Sequence, residues 1–134
     1  MPTTTKVVLA SRYKDFPVLW TVECRYWRAI HAEVMTHRVF SRNASSSRAI
    51  PVSKILKQVW SDPAWPEHWG VNQPGMQART ELVGLRRALA GGIWRLAGKV
   101  ACGFAYGLMK LGVHKQVANR LLEPWQYIHV IITA

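Results

Sequence analysis

The amino-acid sequence predicts an α+β fold in which strands pack with a long helix pair. Three observations support this class: short β-branched runs near both ends, one long segment with leucines every three or four residues, and a polar loop between the first predicted helix and the later ones. Hydrophobic residues make up 49% of the 134 residues, which predicts a folded chain with one modest core. Residues 1–134 are therefore predicted to form a single domain.

Two strands are predicted near the start of the chain. Lys6–Ala10 is a β-branched run, and the side chains of Val18–Cys24 alternate in character, as those of a half-buried strand do. The period then changes, because apolar residues recur at helical spacing over residues 27–34. This spacing predicts a helix over Tyr26–Thr36.

The middle of the chain is predicted to hold two loops and a short helix. His37–Pro51 lacks an apolar period and is crowded with serine, asparagine and arginine, which favours a polar loop. Val52–Trp60 is predicted to be a short helix. Ser61–Gly75 contains three prolines and two glycines, so we expect an irregular loop of a length that is often functional.

The remainder is predicted to be helical and then to return to a strand. The leucine spacing predicts a helix over Ala78–Leu111, which Gly91 and Gly92 would break or kink. His114–Leu122 is predicted to be a second short helix, and Ile128–Thr133 a strand. Because an apolar strand is rarely left uncovered at a sheet edge, we expect this strand either to pair with another chain or to belong to a longer protein.

The charge balance predicts an anionic partner. The chain has 18 Lys and Arg against 7 Asp and Glu, a formal charge of +11. Such a balance suits nucleic acid, a membrane surface or phosphorylated small molecules, and composition alone favours nucleic acid. The most apolar stretch, residues 91–111, carries three basic residues and is predicted not to span a membrane.

The cysteines and the first residues predict a reduced, cytoplasmic protein. Cys24 and Cys102 lack metal-ligand spacing, so no metal is predicted, and two lone thiols are most simply reduced and buried. The apolar run at the start of the chain is too short for a signal peptide.

One segment of the polar loop has the composition of an anion site. The sequence THRVFSRNASSSR, residues 36–48, offers Arg38, Arg42 and Arg48 together with four serines and an asparagine, and it contains no carboxylate. Arginine binds phosphate through two nitrogen atoms, and hydroxyls with loop amides complete such a cradle. The alternative is a solvated basic loop without a ligand.

This segment resembles the R-H-R-x7-S signature of the flavin-dependent thymidylate synthases. His37 and Arg38 match the second and third letters of the signature, Ser46 matches its serine, and Arg48 matches an arginine two residues further on. Thr36 stands in the first position, as it commonly does in phage-type members. A second stretch, residues 112–134, is similar to a conserved helix and strand of the same family.

The resemblance implies an enzyme with an incomplete thymidylate synthase complementing-protein fold. Members make dTMP from dUMP with methylenetetrahydrofolate as carbon donor, reduced FAD as hydride carrier and NADPH as reductant, and they form homotetramers. No protein nucleophile is implied. The implied FAD contacts are His37, Arg38, Val39 and Asn43. The implied dUMP contacts are Glu33, Ser46, Ser47, Arg48 and Arg120.

The chain also departs from the family pattern. Thr36 removes one cation, Ala44 stands where many members have an acidic residue, and Arg120 falls one position from its strict place, which Asn119 takes. The family has a downstream segment with an arginine that polarises the pyrimidine and His and Asn residues that bind FAD. We therefore expect a fragment, or one piece of a split enzyme, that is inactive alone. The alternatives are a small basic nucleic-acid-binding module and a decayed remnant.

The other candidate residues are predicted to be structural. His31 lies on an apolar helix face, which favours a packed core histidine over a catalytic base. His68 is predicted to lie at the surface rather than on folate. Trp65 and Trp69 are predicted to pin the proline-rich loop by packing, with stacking on a pterin or a base as the alternative.

Overall fold

The computed structural model describes residues 3–134 and confirms the α+β class. The strands are β1 (Thr4–Ser11), β2 (Leu19–Trp27), β3 (Ser41–Ala44) and β4 (Tyr127–Thr133). The α-helices are α1 (His31–Val34), α2 (Val52–Ser61), α3 (Gly84–Lys110) and α4 (Lys115–Ala118). Two 3-10 helices complete the order, Arg28–Ile30 before α1 and Asn119–Trp125 after α4.

The strands form one antiparallel sheet in the order β1-β2-β4-β3. The register places Cys24 of β2 opposite Val130 of β4, and Ala44 of β3 opposite the same residue on its other side. Buried Tyr26, Ile128 and Val130 form the core of the sheet. The last strand is therefore paired on both edges within the chain, so of the two alternatives stated for it, pairing with another chain is wrong.

The helix predicted over Tyr26–Thr36 is much shorter than expected. Strand β2 continues to Trp27, which pairs with Tyr127, and the backbone N–H of Arg28 then donates to the carbonyl of Gln126 at 2.9 Å. Only one 3-10 turn and one α turn follow. Pairing with β4 therefore overrides the helical period of the sequence, because backbone groups next to a paired strand find partners there first.

The long helix α3 begins later than predicted and is not interrupted. Residues 78–83 instead form a short antiparallel bridge with the proline-rich loop, between Gly70 and Glu81. The helix runs unbroken through Gly91 and Gly92. A Cβ on Gly91 would lie 2.7 Å from the ring of Trp65, so this glycine makes room for a tryptophan.

Helices α2 and α3 pack with the second 3-10 helix in a separate core. Its buried residues are Ile55, Val59, Cys102, Ala105 and Leu122. The helix predicted over His114–Leu122 is α-helical only to Ala118 and 3-10 beyond it. Pro124 lies inside that last segment, and its missing N–H removes a donor that a longer α-helix would use.

A cluster of tryptophans joins the sheet, α3 and the proline-rich loop. The ring of Trp94 on α3 contacts Trp27, Trp69 and Trp125 at centroid distances of 5.8, 6.2 and 5.5 Å. Its Nε1 donates to the carbonyl of Ala64 at 2.9 Å. The ring of Trp65 lies 5.3 Å from that of Trp69. The prediction that these tryptophans pin the loop by packing is confirmed.

Two properties of the described part of the chain bear on its possible partners. No helix within residues 3–134 combines the length and apolar character needed to cross a membrane. In the same residues, no group of three or more His, Cys, Asp and Glu side chains is placed to hold a metal ion.

Candidate functional site

The centre of the candidate site is Ser47, on the turn after β3. Ser47 is only 5% exposed although it lies in a polar loop. Its Oγ accepts a hydrogen bond from Nη2 of Arg28 at 3.3 Å and donates one to Oε1 of Glu123 at 3.4 Å. Nε of Arg28 lies 3.6 Å from the same carboxylate oxygen. The turn over residues 46–50, called the serine turn below, is thus fixed to both 3-10 helices by a small polar cluster.

Asn119 fixes the backbone of the same turn from below. Its side chain is fully buried, and Nδ2 donates to the carbonyl oxygens of Ser47 at 2.8 Å and Ile50 at 2.9 Å. The carbonyl of Asn119 accepts in turn from Nε2 of Gln126 at 2.9 Å. Two carbonyls that the turn would otherwise bury unpaired are satisfied in this way. The Asn119 Oδ1 atom is buried and has no partner within residues 3–134.

The residues on either side of Ser47 face outward. Ser46 and Arg48 are exposed, and the N–H of Arg48 donates to Oγ of Ser46 at 3.3 Å. Because that oxygen is the acceptor in this contact, the hydroxyl proton of Ser46 stays available to a ligand. The turn therefore presents a hydroxyl donor and a guanidinium on a fixed backbone.

A cleft of about 560 Å³ lies beside the turn, between the two 3-10 helices. Its polar walls are Arg28, His31, Arg120 and Glu123. Glu123 is the only acidic residue after Glu81, and Arg28 lies against it. The Arg28–Glu123 pair lowers the repulsion that a free carboxylate would exert on an anion, and exposed Arg120 adds positive charge.

His31 contacts Tyr26 at the edge of the cleft. Nδ1 of His31 lies 2.8 Å from the Tyr26 hydroxyl, and the two rings stack at 6.0 Å. Burial lowers the pKa of His31, and the nearby Arg28 and Arg42 lower it further. Burial also raises the pKa of Tyr26. His31 is thus half-buried and lies outside both core clusters, unlike the core histidine predicted, and it lines the cleft.

The loop that carries His37, Arg38 and Val39 is exposed yet held in shape. Arg42 turns inward, and its Nη1 donates to the carbonyls of Val34 at 2.7 Å and His37 at 2.5 Å. Val39 is 89% exposed, and the His37 ring lies 6.5 Å from the ring of Phe40. Of the three loop arginines, Arg42 is structural, whereas Arg38 and Arg48 are exposed.

The remaining predicted residues lie on the surface around these two groups. Glu33 is exposed on α1, two residues after His31. Asn43 is exposed on β3 and pairs through its backbone with Ile131. Strand β3 connects the His37–Val39 loop to the serine turn. The structure thus places Ser47 against Arg28 and Glu123 of the cleft wall and Arg120 in that wall, and it leaves the other predicted contacts on adjoining exposed segments.

Two site residues were not anticipated from the sequence, Arg28 and Glu123. They are 95 residues apart. Arg28 lies in the segment predicted to be a helix, and that prediction rested on the apolar residues around it and gave Arg28 no role. The only signal for Glu123 is its isolation as the sole acidic residue of the last fifty. Asn119 was recognised only as the residue in the strict place of the second conserved stretch.

Comparison with known proteins identifies a shared fold. No family model and no curated protein matches the sequence. The structure is similar to that of the UMP/dUMP methylase PolB from Streptomyces cacaoi, with 15% identity over 98% of this chain. The complex with 5-Br dUMP has a TM-score of 0.73 and is covered over 72% of its length. The complex with 5-Br UMP has a TM-score of 0.71 and is covered over 71%.

A thymidylate synthase is also similar over a smaller part. ThyX from Helicobacter pylori, in its structure with FAD and dUMP, shares 17% identity over 87% of this chain and 51% of its own, with a TM-score of 0.49. That score is too low to define a common fold. The likeness to PolB does define one: nearly the whole chain has the fold of an enzyme that methylates UMP and dUMP. The sequence resemblance, drawn from residues 36–51 and 112–134, was also to enzymes that methylate dUMP.

Proposed function

We propose that this chain binds dUMP through the serine turn and takes part in flavin-dependent methylation of dUMP to dTMP. The observation that carries the proposal is the fixed turn, in which Ser46 and Arg48 face outward while buried Asn119 holds the backbone behind them. A hydroxyl and a guanidinium on a fixed backbone suit a phosphate, because the backbone that carries them does not have to be ordered when the ligand arrives.

The phosphate would bind at the mouth of the cleft. Arg48 would contact two phosphate oxygens, Ser46 would donate its hydroxyl proton, and Arg120 would add positive charge from the wall of the cleft. Ser47 would act mainly through the backbone of the turn, because its hydroxyl is engaged by Glu123 at 3.4 Å. A carboxylate only accepts hydrogen bonds, so Glu33 would bind a donor of the nucleotide, such as a ribose hydroxyl.

The neighbouring loop suits a flavin dinucleotide in its chemistry. Arg38 can pair with a pyrophosphate, the exposed His37 and Phe40 rings offer apolar faces, and Asn43 offers an amide that both donates and accepts. The exposed backbone at Val39 adds a further polar contact. When bound and reduced by NADPH, FAD would supply the hydride that converts the methylene carbon from methylenetetrahydrofolate to a methyl group. The role of this chain is then binding and orientation, with no protein nucleophile.

Completion of the site requires groups beyond those assigned here. We assign no residue to polarise the uracil ring, and the resembled family supplies that arginine from a downstream segment, at a site formed between the subunits of a homotetramer. We therefore expect these 134 residues to bind dUMP without turning it over.

A nucleic-acid-binding module is the second candidate, and one observation favours it. Arg87 lies over the ring of Trp69 at 4.5 Å, Arg95 over Trp65 at 4.8 Å, and Lys99 over Trp60 at 5.2 Å. Rows of cations and aromatic rings bind single strands. In this chain the cations cover the rings, which leaves less of each face for a base. Binding to DNA that falls steeply with salt and resists competition by dUMP would favour this candidate.

The test is a calorimetric titration of the purified chain with dUMP and with deoxyuridine, which lacks the phosphate. We expect dUMP to bind and deoxyuridine to bind far more weakly. Arg48→Ala should weaken dUMP binding by about 1.5–3 kcal/mol, the range for a hydrogen bond to a charged group. Arg79→Ala, which removes an exposed arginine outside the serine turn and the cleft, is the matched control and should change nothing. Equal affinity of Arg48→Ala and the parent chain would place the phosphate elsewhere.

A further inference from the structure

Helix α3 has a second apolar side that nothing in residues 3–134 covers. Its buried side is formed by Gly91, Gly98, Cys102 and Ala105. At 100° per residue, a second stripe lies on the opposite side of the helix. Its large members are Leu85, Leu89, Leu96 and Val100, with exposed fractions of 74%, 58%, 63% and 51%. We call this set, with the glycines described next, the outer stripe.

Three glycines complete the outer stripe. A Cβ added to Gly92, Gly103 or Gly107 would meet nothing within 4 Å. In contrast, a Cβ on Gly91 would lie 2.7 Å from the Trp65 ring, and one on Gly98 would lie 3.0 Å from Trp125. A glycine inside a helix costs about 1 kcal/mol relative to alanine. Contacts with Trp65 and Trp125 explain why Gly91 and Gly98 lack a side chain, whereas no contact within residues 3–134 explains the outer three glycines.

The order of large and small residues along the outer stripe is self-complementary. Leu85 lies eleven residues before Leu96, and Gly107 lies eleven after it. Leu89 lies seven before it, and Gly103 seven after it. A two-fold axis through Leu96 would therefore place each of these leucines opposite a glycine of the second helix. Gly92 and Val100, four residues to either side, would meet in the same way.

We propose that two copies of this chain associate through their outer stripes, with the α3 helices antiparallel and Leu96 at the two-fold axis. The occupant is a second copy because a two-fold interface is made of one surface matched to itself. In the outer stripe, each large residue on one side of Leu96 has a glycine at the same distance on the other side, as such an interface needs. Leucines set against glycines also let two helix backbones approach closely, as ridges enter grooves.

The charges next to the stripe do not oppose this pairing. Arg95 and Lys99 are the cations beside its centre, and both turn toward their own subunit, over Trp65 and Trp60 at 4.8 and 5.2 Å.

The apolar area of the stripe and its flanks is also large enough for a specific interface. Seven apolar side chains along this side are each more than half exposed: Leu85, Leu89, Ile93, Leu96, Val100, Phe104 and Leu111. Their burial in two copies amounts to roughly 1,000 Å², where specific interfaces begin.

An apolar groove extends the outer stripe toward the candidate site. It has a volume of about 730 Å³ and lies between α3 and the second 3-10 helix, with Gly103, Gly107, Leu121 and Trp125 in its walls. Arg120 lines both this groove and the cleft. A leucine from a second copy in the groove would thus lie beside the proposed phosphate site. This pairing would provide the association between subunits that the proposed function requires.

Sedimentation velocity of the purified chain over a wide range of concentrations tests the pairing. We expect a concentration-dependent dimer for the parent chain. Leu96→Glu should weaken it more than tenfold, because two carboxylates would meet at the axis. Ser53→Glu adds the same charge at an exposed position of α2, away from the outer stripe, and should leave the dimer intact. A parent chain that stays monomeric throughout, or a Leu96→Glu variant that still dimerises, would overturn the proposal.

A size swap tests the register. Gly103→Leu alone should weaken the dimer, because the added side chain fills the gap for Leu89 of the partner subunit. The same change should raise the melting temperature of the monomer, since it replaces an exposed helical glycine. Adding Leu89→Ala to Gly103→Leu reverses the two sizes and should restore the dimer. Failure to restore it would reject this register. No nucleotide or flavin is present, so this outcome is independent of the dUMP titration.

Discussion

Nδ2 of Asn119 donates to the carbonyl oxygen of Ser47 at 2.8 Å, across 72 residues of sequence and out of contact with water. This hydrogen bond joins the two stretches in which the family resemblance lies. The second stretch therefore has a structural task that its own residues do not reveal. It holds the backbone of the serine turn while the turn's exposed side chains stay free for a ligand.

Asn119→Ala should destabilise the chain by about 2–4 kcal/mol, because it leaves the buried carbonyls of Ser47 and Ile50 without donors. Urea unfolding followed by tryptophan fluorescence measures the loss. Asn72→Ala removes an exposed asparagine and should stay within about 0.5 kcal/mol of the parent. If the two variants were equally stable, the turn would not depend on Asn119.

Glu123→Gln should tighten dUMP binding under the proposed function. The change removes the only negative charge of the cleft wall and leaves Arg28, now at 3.6 Å from that carboxylate, to face the phosphate. The stability should fall by less than about 1 kcal/mol, because the pair is partly exposed. Calorimetry with dUMP measures the gain, and Glu67→Gln is the control for overall charge. Weaker binding by Glu123→Gln would mean that the carboxylate itself contacts the ligand.

The free energy of unfolding should fall as the pH drops below about 6.5 because of His31. Burial, with Arg28 and Arg42 nearby, holds the pKa of His31 below its ordinary value of 6.5, so the unfolded chain binds this proton more readily than the folded one. The contribution is complete above that value and is lost as the pH falls toward the lower folded pKa. His31→Gln should flatten this part of the profile, measured by urea unfolding between about pH 8 and pH 5. An unchanged slope would show that other groups cause it.

Gly91 and Gly92 should respond in opposite directions to alanine. Gly91→Ala should destabilise the chain by about 1–3 kcal/mol, because its Cβ would lie 2.7 Å from the Trp65 ring. Gly92→Ala should stabilise the monomer by about 1 kcal/mol, since that side of the helix is open. Thermal melts at low protein concentration compare the pair. Equal effects of the two changes would mean that Trp65 yields freely.

Much of the fold could be predicted from the sequence. The apolar residues of α2, of the middle of α3 and of β4 recur with a regular spacing, and that spacing alone identifies each element. Strand β3 could not be predicted. Ser41–Ala44 has no alternation, and it is a strand only because the backbone of β4 lies beside it. Pairing with β4 is also the reason that Tyr26 and Trp27 belong to β2 and not to the predicted helix.

The chemistry of the site could be predicted from the sequence, but the role of each of its residues could not. Residue types identified an anion loop, yet Arg42 turns inward to two carbonyls while Arg38 and Arg48 face outward. All three have the same side chain, so only the tertiary contacts separate them. The Arg28–Glu123 pair spans most of the chain, and no local spacing can indicate such a contact.

The inner position of β4 has a consequence for the order of folding. Strands β1 and β2 can pair as a hairpin soon after synthesis, because they are adjacent in sequence. The side chains of Thr21 and Thr133 meet across 112 residues, and within residues 3–134 the one strand that pairs with β3 is β4. The serine turn therefore reaches its final shape only after β4 docks. A nascent chain on the ribosome therefore carries the signature residues before the shape that the proposed nucleotide site requires can form.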